Sequence, residues 1–95
     1  MRRTRERWAV GARRVRSEEL RLPGQGRAER LEVVVSPAGE RSATVDGAPV
    51  EAWVEPAVAE ALAEIERRGR ERFQAFAARA DKLGGDRWEL TIDPL

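Results

Sequence analysis

The sequence contains no cysteine, histidine, tyrosine or asparagine. Without cysteine there can be no disulfide, no thiolate metal site and no cysteine nucleophile. Without histidine the usual general base near neutral pH is missing, and with it the Ser-His-Asp triad and any histidine–carboxylate metal site. Carboxylates, serines activated in some other way and the single lysine, Lys82, are what remain. Ser17, Ser36 and Ser42 sit in no Gly-x-Ser-x-Gly setting. Asp81 and Asp86 flank a Gly-Gly pair, but a calcium loop needs several oxygen ligands at tight spacing. Gly24-Gln25-Gly26 lacks the third glycine and the preceding apolar strand of a nucleotide cradle. The expectation is a non-enzyme with no catalytic residue, no metal site and no cofactor.

Long apolar runs are missing too. None approaches the ~20 residues of a membrane span, and the N-terminal arginines are not followed by the apolar stretch of a signal peptide. A cytoplasmic protein is expected, of one domain at 95 residues. Arginine outnumbers lysine seventeen to one, alanine occurs fifteen times and isoleucine twice. This pattern follows GC-rich coding more closely than the lysine- and glutamate-rich composition of hyperthermophiles.

The net charge of +1 hides a division. Residues 1–30 carry ten arginines and four acids, whereas residues 31–95 carry eight basic and thirteen acidic residues. Such a split marks either a basic arm for an acidic partner or two parts of one monomer that attract each other. The chain accordingly divides into an arginine-rich segment, 1–22, and an α+β domain, 23–95.

Within 23–95 the spacing predicts three strands, then a helix, then a strand. Leu31, Val33 and Val35 alternate with polar neighbours, as do Ala43 and Val45, and then Val50, Ala52 and Val54. Asp46-Gly47 is a hairpin signal. Pro56 suits a first helical turn, and Val58, Leu62, Ile65, Gly69, Phe73, Phe76, Ala80 and Leu83 follow at helical spacing. Glu64–Arg68 and Glu66–Arg70 are favourable i,i+4 pairs. Gly84-Gly85 supplies a stop, with Lys82 near the negative end of the dipole. Trp88, Leu90 and Ile92 alternate as the last strand. The fold class is α+β: a small antiparallel or mixed sheet in β-β-β-α-β order, with one long helix, 56–83, on one face. That helix would span about 40 Å at ~1.5 Å per residue, longer than a five-residue strand can cover. Either Gly69 breaks it within Arg67–Arg72, or its far end projects and needs a partner to cover Phe73 and Phe76. Residues 1–22 read slightly better as strand than as helix.

Two surfaces carry the functional expectations. Arg2, Arg3, Arg5, Arg7, Arg13, Arg14 and Arg16, with Trp8 among them, form a candidate nucleic-acid footprint, since arginine forks grip phosphates and indole stacks on bases. The ordinary alternative is a solvated arm, or one folded on the acidic body. Val34 and Trp53 share the sheet face opposite the helix and need a cover, either the N-terminal segment or a second molecule. With Phe73 and Phe76 they make a candidate protein interface. The leading expectation is a non-catalytic interaction protein that self-associates or docks on another protein. The second is a nucleic-acid-binding protein. No membrane partner is implied.

Overall fold

The computed structural model describes residues 4–8, 14–50 and 54–95, with side chains in 17–50 and 54–95. Among the described residues seven strands form one sheet: β1 (Thr4–Trp8), β2 (Arg14–Arg21), β3 (Arg30–Val35), β4 (Arg41–Val45), β5 (Ala48–Pro49), β6 (Phe76–Gly84) and β7 (Arg87–Pro94). Their spatial order is β1-β2-β7-β6-β3-β4-β5, with every pairing antiparallel. A single helix among the described residues, α1 (Pro56–Arg70), packs on β3 and β6. The fold is α+β, as the alternation of periods predicts.

One face of the sheet makes the core. Leu31, Val33 and Val35 of β3 pair in register with Ala80, Ala78 and Phe76 of β6, and these with Leu90, Ile92 and Pro94 of β7. Leu20 of β2 sits opposite Trp88. Ala61, Leu62, Ile65 and Gly69 of α1 are buried on this face. Leu31, Val33, Ile65, Phe76, Ala80 and Trp88 are wholly inaccessible to solvent. The transfer of apolar side chains such as these from water, about 25 cal/mol per Å² buried, is the main force holding helix to sheet.

The expected helix 56–83 is corrected by the structure, because it ends at Arg70. Pro56 stands in its first turn, as expected. At the other end the amides of Arg72 and Phe73 both donate to the Gly69 carbonyl, at 3.0 and 2.9 Å, and the chain turns back into the sheet. Arg67, Arg68 and Arg70 occupy the last turn, where cations oppose the negative end of the dipole. Phe76–Gly84 is a strand. Its alanines favour helix in isolation, but Phe76, Ala78 and Ala80 also alternate, and burial against β3 and β7 on both sides overrides propensity. Lys82 therefore sits on a strand rather than at a helix end. Gly84 and Gly85, both at positive φ, turn β6 into β7 rather than capping a helix.

The Asp46-Gly47 hairpin forms as its sequence predicts. Both residues have positive φ (51° and 83°), the signature of a type I′ turn. Asp46 Oδ1 also accepts from the amides of Glu29 and Arg30 at 2.8 and 2.7 Å, tying the turn to the start of β3. Of the expected strand over Val50–Val54, Val50 and Val54 lie in no strand and residues 51–53 lie outside the described part; the short β5, Ala48–Pro49, precedes them. The N-terminal segment is strand where it is described. Within that segment β2 is paired between β1 and β7, and Leu20 and Leu22 belong to the common core.

Candidate functional site

Of the four residues expected to form a protein interface, Phe76 is a correction. Its ring is fully buried against α1 because β6 turns it into the core. Phe73 packs against the same cluster and is half-buried. Neither projects beyond the sheet, since the helix that would have carried them stops at Arg70. Val34 does lie on the face opposite the helix, in register between Ser42 and Ala77, and it is half-buried. Trp53 lies outside the described residues.

The face around Val34 is polar and internally paired. Thr44 Oγ1 donates to Glu32 at 3.1 Å. Arg30 and Arg79 both donate to Asp81, at 2.8 and 2.9 Å, and Arg87 donates to Glu19 at 3.2 Å. The guanidinium of Arg30 is stabilised in its charged form by the hydrogen bond and charge of Asp81, and that of Arg87 by Glu19. Paired charges thus surround Val34 on β3, β4 and β6, while further along the same face Ser17 and Thr91, opposite each other on β2 and β7, are buried.

Arginines of the body are largely engaged. Nine of the ten between residues 17 and 95 form ion pairs with carboxylates of the same chain. On α1, Glu64 accepts from Arg67 and Arg68 at 2.6 and 2.7 Å, and Glu66 from Arg70 at 2.8 Å and from Arg41. The Arg67 hydrogen bond holds the Glu64 carboxyl below its ordinary value, against the opposing effect of partial burial and with help from Arg68. For Glu66 burial is the largest single influence and acts upward. The hydrogen bonds from Arg70 and Arg41 together outweigh it, so the net shift is downward.

Sequence reasoning missed Glu18. It stands on the helix-covered face of β2 opposite Leu90, with its side chain only 2% exposed. Arg68 and Arg72 donate to its Oε1 at 3.3 and 3.0 Å, fastening β2 to the end of α1. A signal for it existed: Glu18, Leu20 and Leu22 alternate, which places the acid in the row of the apolar residues. A buried carboxylate with two guanidinium partners is a structural clamp whose charge is met within the chain.

The candidate nucleic-acid residues are reached only in part. Arg2, Arg3 and Arg13 lie outside the described residues. For Arg5, Arg7, Trp8, Arg14 and Arg16 the backbone register is described: Arg5 faces Ser17, Arg7 faces Val15, Trp8 faces Arg14 and Glu6 faces Arg16. Alternation therefore assigns Arg5 and Arg7 to one set of cross-strand rows, and Trp8, Arg14 and Arg16 to the other. They do not compose one continuous row.

Among the described residues a depression runs between α1 and β4, lined by Arg41, Ala43, Pro49, Val50, Val54 and Leu62, and its one charged group is held by Glu66. Among the described residues no group of three or more His, Cys, Asp or Glu is placed to hold a metal ion. No helix among them is long and apolar enough to cross a membrane.

The two edges of the sheet differ sharply. At the β5 edge the terminal strand is two residues long and ends in Pro49, which has no N–H to offer. At the β1 edge a five-residue strand, Thr4–Trp8, has β2 on its inner side and no described strand on its outer side. No family model, no curated protein and no solved structure matches the chain.

Proposed function

We propose that this chain is a small non-catalytic interaction protein that works by associating with itself through the β1 edge of its sheet. The single observation that carries this reading is the asymmetry of the edges. A free strand edge presents a row of backbone donors and acceptors for another strand, and proteins shorten or break the edges they keep solitary. The β5 edge is treated in that way and the β1 edge is not. Strand addition supplies main-chain hydrogen bonds without requiring an apolar patch, which suits a molecule whose outer sheet face is charged. The small core points the same way, since domains of this size often gain stability by association.

The test is sedimentation equilibrium over a wide range of protein concentration. The expected result is a mass rising from the 10.7 kDa of one chain towards twice that value. A mass that stays at one chain up to high concentration overturns the proposal. Phosphate binding by the arginines of residues 1–16 remains the alternative. It has local composition behind it, but the body adds little, because nine of its ten arginines from residue 17 on already have carboxylate partners.

A further inference from the structure

We infer that two copies join β1 to β1 antiparallel about a twofold axis at Glu6, which sets both α1 helices on the same side of one continuous sheet; this rests on the self-association proposed above. Along an antiparallel strand the main-chain N–H and C=O of successive residues point to alternate neighbours. The Leu22 amide donates to the Asp86 carbonyl at 2.9 Å, and these two residues continue the β2–β7 register. The main-chain groups of Leu22, and of the even-numbered residues of β2 with it, therefore face β7. Those of the odd-numbered residues face β1, where Ser17 meets Arg5 and Val15 meets Arg7. Arg5 and Arg7 thus turn their main-chain groups inward to β2. Thr4, Glu6 and Trp8 turn theirs outward.

These outward groups fix how a second copy attaches. Hydrogen-bonded pairs form only between residues that both point outward, so Thr4, Glu6 and Trp8 of one copy face Thr4, Glu6 and Trp8 of the other. With Glu6 facing itself, Thr4 faces Trp8 at both ends and every outward group is bonded. A shift of two residues either way leaves one of these residues in each copy without a partner. Charge does not choose among the registers, because Arg5 and Arg7 share one parity and each register sets arginine opposite arginine. The repulsion is screened by salt, so association should strengthen as salt is added. Like parity also fixes the faces: the helix-covered face of one copy continues into that of the other, and the twofold axis stands perpendicular to the sheet. α1 packs on β6 and β3, the fourth and fifth strands from that axis. At ~4.8 Å per strand the two helices stand roughly 40 Å apart along the sheet.

The absence of cysteine lets single cysteines report the register. Under mild oxidation Glu6→Cys should link to itself, since the Cα atoms of a hydrogen-bonded pair lie ~5.5 Å apart, within disulfide reach. Arg5→Cys should link to Arg7→Cys in a mixture but not to itself, because its own counterpart lies two residues further along, about 8 Å away. Arg5→Cys linking to itself as fast as Glu6→Cys means a shifted or a parallel pairing and overturns the inference. In parallel, Glu6→Pro removes an outward N–H and no hydrogen bond within the chain. The variant, shown to be folded by circular dichroism, should associate at least about tenfold more weakly, because the pair on the axis is lost. Unchanged association of folded Glu6→Pro means that the copies meet elsewhere, and self-association then stands without this edge. No dimer of the unaltered chain at any concentration removes both proposals.

Discussion

The ring of Phe76 occupies the space that a side chain on Gly69 would need. A Cβ built on Gly69 would stand 2.2 Å from Cε2 of that ring and 2.5 Å from two further ring atoms. The relationship joins the last turn of α1 to the first residue of β6, and it explains both the buried glycine and the end of the helix. In a solvated helix, Gly→Ala stabilises by ~1 kcal/mol through propensity. Here the added methyl must displace a fully buried ring, an overpacking cost of ~1–3 kcal/mol that opposes and outweighs the gain. Gly69→Ala is therefore expected to lower stability in urea unfolding. Combined with Phe76→Leu, its cost should fall short of the sum of the two single changes, since they share one space. A stabilising Gly69→Ala would show that the ring does not lie there.

The Glu18 clamp yields a comparison of magnitudes. Glu18→Gln leaves Arg68 and Arg72 directed at a neutral, buried amide and should cost about 1–3 kcal/mol. Arg21→Gln breaks an ion pair with Asp86 whose side chains are 77% and 39% exposed. Exposed pairs contribute roughly 0–1 kcal/mol, so this second change should be close to neutral. Equal effects in chemical denaturation would contradict the assignment of Glu18 as a clamp.

Acid should loosen the helix surface in a defined direction. Glu64 and Glu66 are held below the ordinary glutamate value in the folded chain. Groups whose folded pKa is depressed add stability above the unfolded value and lose it as pH falls through the folded one. The melting temperature should thus be flat above about pH 5 and decline as pH drops through and below the ordinary glutamate range near 4.3. Glu64→Gln with Glu66→Gln should lower the plateau and flatten the decline. Because both groups are partly solvated, the change in plateau should be modest.

The Asp46 turn gives a fourth expectation. Asp46→Ala removes two backbone-to-carboxylate hydrogen bonds and places alanine at a φ of 51°. A loss of about 1–3 kcal/mol is expected, and Asp46→Asn, which keeps an acceptor and tolerates positive φ, should recover most of it. Equal losses for the two variants would contradict this account of the turn.

These residues also show how far the sequence was readable. Alternation in Leu31–Val35 and Trp88–Ile92, the Asp46-Gly47 pair and Pro56 each have a single local interpretation, and the structure follows it. Phe76–Leu83 does not. Phe76, Ala80 and Leu83 satisfy helical spacing while Phe76, Ala78 and Ala80 satisfy strand spacing, and only pairing with β3 and β7 decides between them. Gly69 was visible as a possible break, yet the ring that requires it is set by the tertiary fold. The same applies to the clamp. Alternation could place Glu18 in an apolar row, but its partners lie fifty or more residues away on α1 and just beyond it. The sheet edge was unreadable in advance, because it depends on β7 pairing with β2 rather than with β1.

The most direct measurement of self-association at β1 is hydrogen exchange of the amides of residues 4–8 in the unaltered chain, followed as protein concentration rises. Outward amides of an edge strand exchange freely in a monomer and become protected when a second strand pairs with them. Protection confined to Thr4–Trp8 that grows in step with the sedimenting mass is the predicted result. Exchange at these residues that stays the same while the mass doubles would contradict the account and place the contact on another surface.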